Sequence, residues 1–330
     1  MGSIVLFGGS GFVGMHLAWM LGERFERVYI ADIRKPRWHS EAAVAPNPRQ
    51  QFVPCDVRRP IDAGLFGRDV QCIVNLAAVH TTPGHPAHEY FETNIVGART
   101  VCRFAEEAGV EHVVFTSSIA VYGPGEDEKT EESVPMPAIP YGSSKLAAEY
   151  EHREWMNRQS GRRLSIIRPA VIFGPGEGGN FTRIAHALQR GAFAYPGRTD
   201  TIKGCLYVKD ICRFIIDRIE NESGFSLFNF CYPEKITIRD IVCAFKKTLG
   251  YRAPEPVVPL WMVNAAAAGL GTLRFPCIAR MGLVPERIVK LVRSTNISSR
   301  TLVASGFAFA YSLEDALRDW ARDCGGKTLF

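Results

Sequence analysis

The stretch Ser3-Ile4-Val5-Leu6-Phe7-Gly8-Gly9-Ser10-Gly11-Phe12-Val13-Gly14 decides how the chain folds. Residues 3–7 are a short apolar run, which reads as a buried parallel strand. Residues 15–21, Met-His-Leu-Ala-Trp-Met-Leu, read as a helix. Between them Gly8, Gly11 and Gly14 permit a tight turn and close approach of backbone to a pyrophosphate. The helix start adds N–H groups without intrahelical partners and a partial positive charge. A second strand at 28–31 ends on Asp32, an acid placed to hydrogen-bond both ribose hydroxyls. Strand, glycine turn, helix, strand and acid in this order predict a dinucleotide site. Asp32 repels a 2′-phosphate and so favours NAD over NADP. Arg34 and Lys35 either accommodate such a phosphate or are solvated loop charges.

Further strands are expected at 51–54, 72–76, 113–116 and 164–167, with helices at 88–108 and from 141 to about 159. Strands alternating with helices at this spacing imply an α/β fold, a Rossmann-type doubly wound parallel sheet. Asp56 follows the third strand, where it either reaches an adenine amino group or caps a turn. Beyond Pro169 the pattern loosens. A glycine-rich loop at 174–179 precedes helices at 181–190, 210–220 and 238–249 and strands at 206–208 and 225–230. The last hundred residues read as mostly helical.

The whole chain sets limits. Its 330 residues carry a net charge of +5 and no basic run with interleaved aromatics, so no nucleic-acid partner is expected. Nine cysteines, none in CxxC spacing, fit structural thiols in a reduced cytoplasm. No signal peptide is expected, because a strand-like run begins at Ser3 without a basic segment before it. His80, His85 and His88 match no common zinc spacing, and no metal site is expected. The acidic run at 126–132 reads as a solvated loop.

Tyr141-Gly142-Ser143-Ser144-Lys145 places a tyrosine and a lysine one helical turn apart on one face. An ammonium near a phenol favours the phenolate, making Tyr141 a candidate proton-transfer group.

These motifs join GxxGxxG at 8–14 with NLAA at 75–78, FTSSIAVYG at 115–123, YGSSK at 141–145 and IIRPAVIFGPG at 166–176. In that order they resemble the extended short-chain dehydrogenase/reductases of the sugar-nucleotide epimerase type. The resemblance implies an NAD-binding domain at 1–168 together with 206–231. A smaller, mostly helical substrate domain would comprise 169–205 and 232–330. It implies Ser118, Tyr141 and Lys145 as catalytic residues. Tyr141 would take a proton from a sugar hydroxyl, and Ser118 would share the charge on that oxygen. Lys145 would hold the nicotinamide ribose. Along the cofactor it places Gly8, Gly11, Phe12, Val13, Gly14, Asp32, Ile33, Arg34, Asp56, Val57, Leu76, Ala77, Ala78, Asn94, Pro169 and Val171. Asn94 could equally be an ordinary helix polar residue.

The 4,6-dehydratases of this family carry Asp-Glu directly after the catalytic hydroxyl residue. Ile119 and Ala120 stand there in this chain, which argues against dehydration. For the substrate, the resemblance points to His80, Ser118, Asn180, Lys203 and Arg293. Lys203 replaces a usual arginine, and Tyr207-Val208-Lys209-Asp210 carries lysine for a usual aspartate. Local runs look closest to the bacterial 4-epimerases acting on undecaprenyl-diphosphate-linked N-acetylglucosamine, enzymes of surface polysaccharide (lipopolysaccharide O-antigen) synthesis. A UDP-linked hexose is the other candidate substrate. A 4-keto-sugar reductase and a non-catalytic scaffold are the alternative functions. The uncharged stretch 256–273, with Arg274, Arg280, Arg287, Lys290, Arg293 and Arg300 after it, suits peripheral membrane contact through 256–300 or a packed substrate-domain helix. A homodimer through the helices at 88–108 and 141–159 is the family expectation.

Overall fold

The computed structural model describes residues 2–22, 24–36, 47–82, 84–263, 292–325 and 329. Its centre is a seven-stranded parallel sheet. In chain order the strands are β1 (Ser3–Phe7), β2 (Arg27–Asp32), β3 (Gln50–Pro54), β4 (Val70–Asn75), β5 (His112–Thr116), β7 (Arg163–Pro169) and β11 (Phe225–Phe230). Across the sheet they run β3-β2-β1-β4-β5-β7-β11. The chain therefore starts mid-sheet, winds outward to β3, then returns past β1 to fill the other half.

Both faces of the sheet are covered, and the strand sequences show why. Side chains alternate across a strand. Ile4, Leu6, Val28, Ile30, Cys72 and Val74 enter one buried cluster with helix α1 (Phe12–Leu21) and helix α6 (Val208–Asn221). Val5, Phe7, Tyr29, Ala31 and Ile73 enter the other, with helices α3 (Gly97–Glu107) and α4 (Pro140–Asn157). Strands apolar at every position are what a two-sided parallel sheet requires.

Three two-stranded parallel pairs surround this core. β8 (Val171–Phe173) pairs with β10 (Cys205–Tyr207), and β9 (Tyr195–Pro196) with β12 (Val257–Val258). The third overturns the expectation for the acidic run. Residues Gly125–Lys129 form strand β6, paired with β13 (Thr295–Ile297). Glu126 meets Arg198 at 2.9 Å and accepts from Ser294 Oγ at 2.8 Å. Glu128 meets Arg300 at 2.8 Å and Lys235 at 3.5 Å. Glu131 accepts from the Asn229 N–H and the Thr301 hydroxyl. Each exposed ion pair stabilises by only about 0–1 kcal/mol. Together they fix the register of the C-terminal segment against the sheet domain.

A second departure lies after β4. The helix expected at 88–108 is three pieces: α2 (Ala87–Phe91), a π-helical turn over Glu92–Val96, and α3. The lysine in Tyr207-Val208-Lys209-Asp210 also finds a structural reason. Lys209 bridges Asp319 at 2.6 Å and Asp323 at 2.9 Å on the helix Leu313–Asp323, and Asp319 also accepts from Tyr207 Oη. Most of the 256–300 segment considered for membrane contact, residues 264–291, lies outside the described residues. Among the described residues no helix is long and apolar enough to cross a membrane.

Candidate active site

The site residues gather at the carboxyl ends of the strands, where a doubly wound sheet leaves a crevice beside its switch point. Paired registers set Phe7 beside Asn75 and Asn75 beside Phe115. The glycine loop after β1, the Leu76-Ala77-Ala78 loop after β4 and the Ser117-Ser118 turn after β5 thus open on one edge.

The glycine loop has the shape of an anion cradle. Gly8 has φ of +73°, and a Cβ there would stand 2.6 Å from the Ala77 backbone nitrogen. Gly14 packs on Gly9, again at 2.6 Å for an added Cβ. Gly11, the residue capping α1, is exposed, and no side chain caps the helix N-terminus. Its first-turn N–H groups remain available to an anion. The buried Ser10 hydroxyl has no hydrogen-bond partner among the described residues. Asp32 accepts from Ser10 N at 3.1 Å and Arg34 N at 3.0 Å, which ties the loop to the end of β2. These features fit a dinucleotide.

The remaining cofactor candidates sort by what they touch. Phe12 and Val13 are half-buried on α1, and Ile33 is 62 % exposed. Val57 is buried against Gly97 at the start of α3, so its side chain belongs to the core. Asp56 shows the turn-cap arrangement: it accepts from the Arg58 N–H and pairs with the Arg58 guanidinium at 2.8 Å, which holds its carboxyl below the usual range. Leu76, Ala77 and Ala78 are half-buried. Pro169 ends β7, and Val171 pairs with Cys205 in β8.

Asn94 is buried and its amide is spent on protein. It donates to the Val79 carbonyl and to Ser144 Oγ, and accepts from the Val79 N–H at 2.8 Å. Ser144 Oγ in turn donates to the Tyr141 carbonyl. The π-turn therefore aims Asn94 so that it locks the β4 loop to the helix of Tyr141 and Lys145. It is a positioning residue. Asn94→Leu is expected to lower stability by roughly 2–4 kcal/mol, since it strands buried Val79 groups, read as a lower urea midpoint.

Ser118, Tyr141 and Lys145 converge. Ser118 Oγ accepts from the Ala120 N–H at 3.1 Å and so caps the short turn Ile119–Tyr122. Its hydroxyl also lies close enough to the Tyr141 oxygen to favour the phenolate. Burial nevertheless pushes Tyr141 above the ordinary phenol value. This corrects the expectation that Lys145 alone would lower it. The Lys145 ammonium is itself 2 % exposed, is pushed down to about 7 by burial, and lies 4.3 Å from the centre of the Phe115 ring.

A buried network beside Ser118 and Lys145 escaped the sequence reading. Glu149 accepts from Ser117 Oγ at 2.5 Å and is gripped by Arg168 at 2.6 and 2.8 Å. Arg168 also donates to Tyr122 Oη, which donates to Asn229. Nearby, His152 stacks on Phe115 and bonds Asn75. Two signals were in the sequence: Tyr141, Lys145 and Glu149 repeat at four-residue spacing, and Arg168 interrupts an apolar strand.

The substrate candidates are only partly assembled. His80 is exposed at the mouth, close enough for the Lys145 charge to act on it. Lys203 Nζ donates to the Arg293 carbonyl at 2.6 Å, and burial pushes its ammonium down to about 8. The structure thus joins these two positions. Asn180 is exposed at the start of α5 (Asn180–Gln189), where its side-chain oxygen accepts from Arg183. Glu177 folds over that helix start, accepting from Thr182 N at 2.9 Å. Among the described residues no cluster of His, Cys, Asp or Glu could hold a metal ion.

Known proteins share this architecture. The family model described as "NAD dependent epimerase/dehydratase family" matches residues 4–229. The N-acetyl-alpha-D-glucosaminyl-diphospho-ditrans,octacis-undecaprenol 4-epimerase of Escherichia coli O157:H7 is 28 % identical over 317 residues, covering 96 % of this chain and 93 % of that protein. The UDP-glucose 4-epimerase of Vibrio cholerae is 28 % identical, covering 78 % of this chain and 79 % of its own. Among solved structures, MoeE5 in complex with UDP-glucuronic acid and NAD superposes with a TM-score of 0.77 at 21 % identity, over 98 % of this chain and 100 % of that one. The chain belongs to the NAD-dependent epimerase/dehydratase family, and is an NAD-dependent sugar epimerase of the extended short-chain dehydrogenase/reductase type.

Proposed function

We propose that the protein is a 4-epimerase of a diphosphate-linked hexose of the N-acetylglucosamine/N-acetylgalactosamine type, acting in bacterial surface polysaccharide synthesis. The observation that carries this reading is the meeting of Ser118, Tyr141 and Lys145 beside the glycine cradle, with Ile119 and Ala120 where a dehydratase needs acids. NAD held in the cradle supplies the chemistry of taking hydride from C4 and giving it back to the other face of the 4-keto sugar. Tyr141 Oη removes the C4 hydroxyl proton and later returns it. Ser118 Oγ steadies the same oxygen with its proton, its own lone pair being engaged by the Ala120 N–H. Lys145 holds the nicotinamide ribose. Lys203 and Arg293 lie toward the diphosphate.

The carrier is undecaprenyl diphosphate or UDP. Similarity to the E. coli undecaprenol enzyme across 96 % of this chain supports the lipid carrier. So do the exposed Leu260, Trp261 and Met262, which extend into the uncharged stretch and suit peripheral contact with the inner face of the cytoplasmic membrane. A homodimer through α3 and α4 is part of the same proposal, and the exposed Val96 and Tyr150 support it.

One experiment tests the reading. Purified protein, with no added cofactor, is given UDP-N-acetylglucosamine in one arm and N-acetylglucosaminyl-diphospho-undecaprenol in vesicles in the other, and the sugar epimers are separated. The galacto epimer is expected to form without net NADH. One-way consumption of NAD(P)H on a nucleotide-linked 4-keto-6-deoxy sugar, with no epimer in either arm, would establish a reductase and refute the proposal.

A further inference from the structure

The mechanism above uses Lys145 but leaves its surroundings unexplained. An ammonium shielded from water is costly unless a counter-charge lies near. Lys145 has few candidates for one. From β5 it meets the ring of Phe115. From the loop after β4 comes His80, and from its own helix His152, both of which can only add positive charge. Tyr141, one turn back, is neutral until it gives up its proton. Arg168 approaches from β7 but is turned onto Glu149 and Tyr122. Among the described residues, the one carboxylate that acts on Lys145 is Glu149, one turn forward on α4 and 2 % exposed.

Glu149 has further contacts that give it a second role. Ser117, which bonds it, immediately precedes Ser118. Tyr122, which bonds its partner Arg168, ends the turn that Ser118 caps. The same carboxylate therefore braces both ends of the Ser117–Tyr122 turn and stands beside the lysine.

We propose that Glu149 is a positioning residue for the epimerase reaction: clamped by Arg168 and Ser117, its carboxylate supplies the counter-charge for the buried Lys145 ammonium and holds the turn that presents Ser118 to Tyr141. Arg168 serves as the clamp. Arg168 holds the Glu149 carboxylate at 2.6 Å, and both side chains are almost wholly buried.

The inference rests on the assigned roles of Tyr141 and Lys145, but its test needs no sugar. The titration of Lys145 is followed by NMR of 13C at Cε, with the resonance assigned by its loss in Lys145→Met. In the native protein the midpoint is expected near pH 7. Loss of a carboxylate disfavours the ammonium, so Glu149→Gln is expected to move the midpoint down by about one pH unit, a ten-fold change in the protonation equilibrium. Glu149→Gln leaves Arg168 buried without its partner and is at risk of misfolding. The double variant Glu149→Gln/Arg168→Met leaves no buried charge unpaired and, because it also removes a positive charge, is expected to show a smaller shift in the same direction. Glu149→Asp, which keeps the charge, is expected to return the midpoint toward the native value. A purely structural role would lower the melting temperature and leave the Lys145 midpoint in place. An unshifted midpoint in the folded double variant overturns the proposal. Loss of turnover on every sugar with the shift intact would instead count against the epimerase reading.

Discussion

Tyr141→Phe is expected to fold, to retain NAD and to lose turnover by about 10²–10⁴-fold, the usual contribution of a positioned proton-transfer group. The ring makes only modest demands on the site. It is half-buried, tilted against Tyr90 at 6.2 Å, and phenylalanine preserves that contact. The deleted oxygen lies near the Ser118 hydroxyl, so the stability loss should not exceed that of one hydrogen bond, about 1 kcal/mol. Ser118→Ala makes the useful comparison. It removes the helper hydroxyl and also the cap on Ala120 N, so it is expected to cost about 1 kcal/mol of stability while retaining more activity than Tyr141→Phe. Turnover is read from the ratio of sugar epimers, cofactor retention from NAD released on denaturation, and stability from urea unfolding. A Tyr141→Phe protein with native turnover would remove Tyr141 from the proton path and with it the proposed mechanism.

The pH dependence expected from this site has a definite sign. Burial raises Tyr141, so the phenolate becomes scarcer as pH falls. Burial lowers Lys145 to about 7, so its ammonium is lost as pH rises, below the range in which the Tyr141 phenolate forms. The two groups are pushed toward opposite protonation states by the same desolvation, which charges are needed to oppose. Glu149 and Ser118 are the opposing groups within the chain.

Much of this was legible in the sequence because the relevant patterns are local. A strand, a glycine turn and a helix are encoded in the first twenty-one residues, and Asp32 follows at the next strand end. Parallel strands buried on both faces show as unbroken apolar runs, and β1, β2 and β4 were readable for that reason. Features that depend on distant partners were not. The acidic run at 126–132 looks solvated until Arg198, Lys235 and Arg300 arrive from up to 172 residues away. The π-turn at Glu92–Val96 is invisible to a 3.6-residue periodicity, because it inserts one residue into it. The direction of the Tyr141 shift was misjudged for a related cause. Spacing reports that Lys145 is near, but not that both groups are shielded from water.

The glycine cradle yields a prediction that separates folding from binding. Gly8→Ala is expected to damage both. Its φ of +73° costs a side-chain-bearing residue about 1–2 kcal/mol. The new methyl would also stand 2.6 Å from the Ala77 nitrogen and 2.7 Å from its Cα, backbone atoms held by β4 that cannot move without opening the β1–β4 edge. A lower urea midpoint and loss of NAD during gel filtration should appear together. Gly11→Ala should behave differently. Its φ of −73° suits any residue, and the nearest atom to an added Cβ is Gly8 O at 3.1 Å, so stability should stay within about 0.5 kcal/mol of native. The methyl would nevertheless stand on the exposed floor of the cradle, at the N-terminus of α1, where a pyrophosphate has to approach the backbone closely. NAD affinity is therefore expected to fall at least about ten-fold, or roughly 1.4 kcal/mol, measured by calorimetry on cofactor-stripped protein. If Gly11→Ala bound NAD as the native protein does, the pyrophosphate would have to lie elsewhere along the strand edge. If Gly8→Ala melted at the native midpoint, the tight contact between the glycine loop and Ala77 would not be what shapes the cradle.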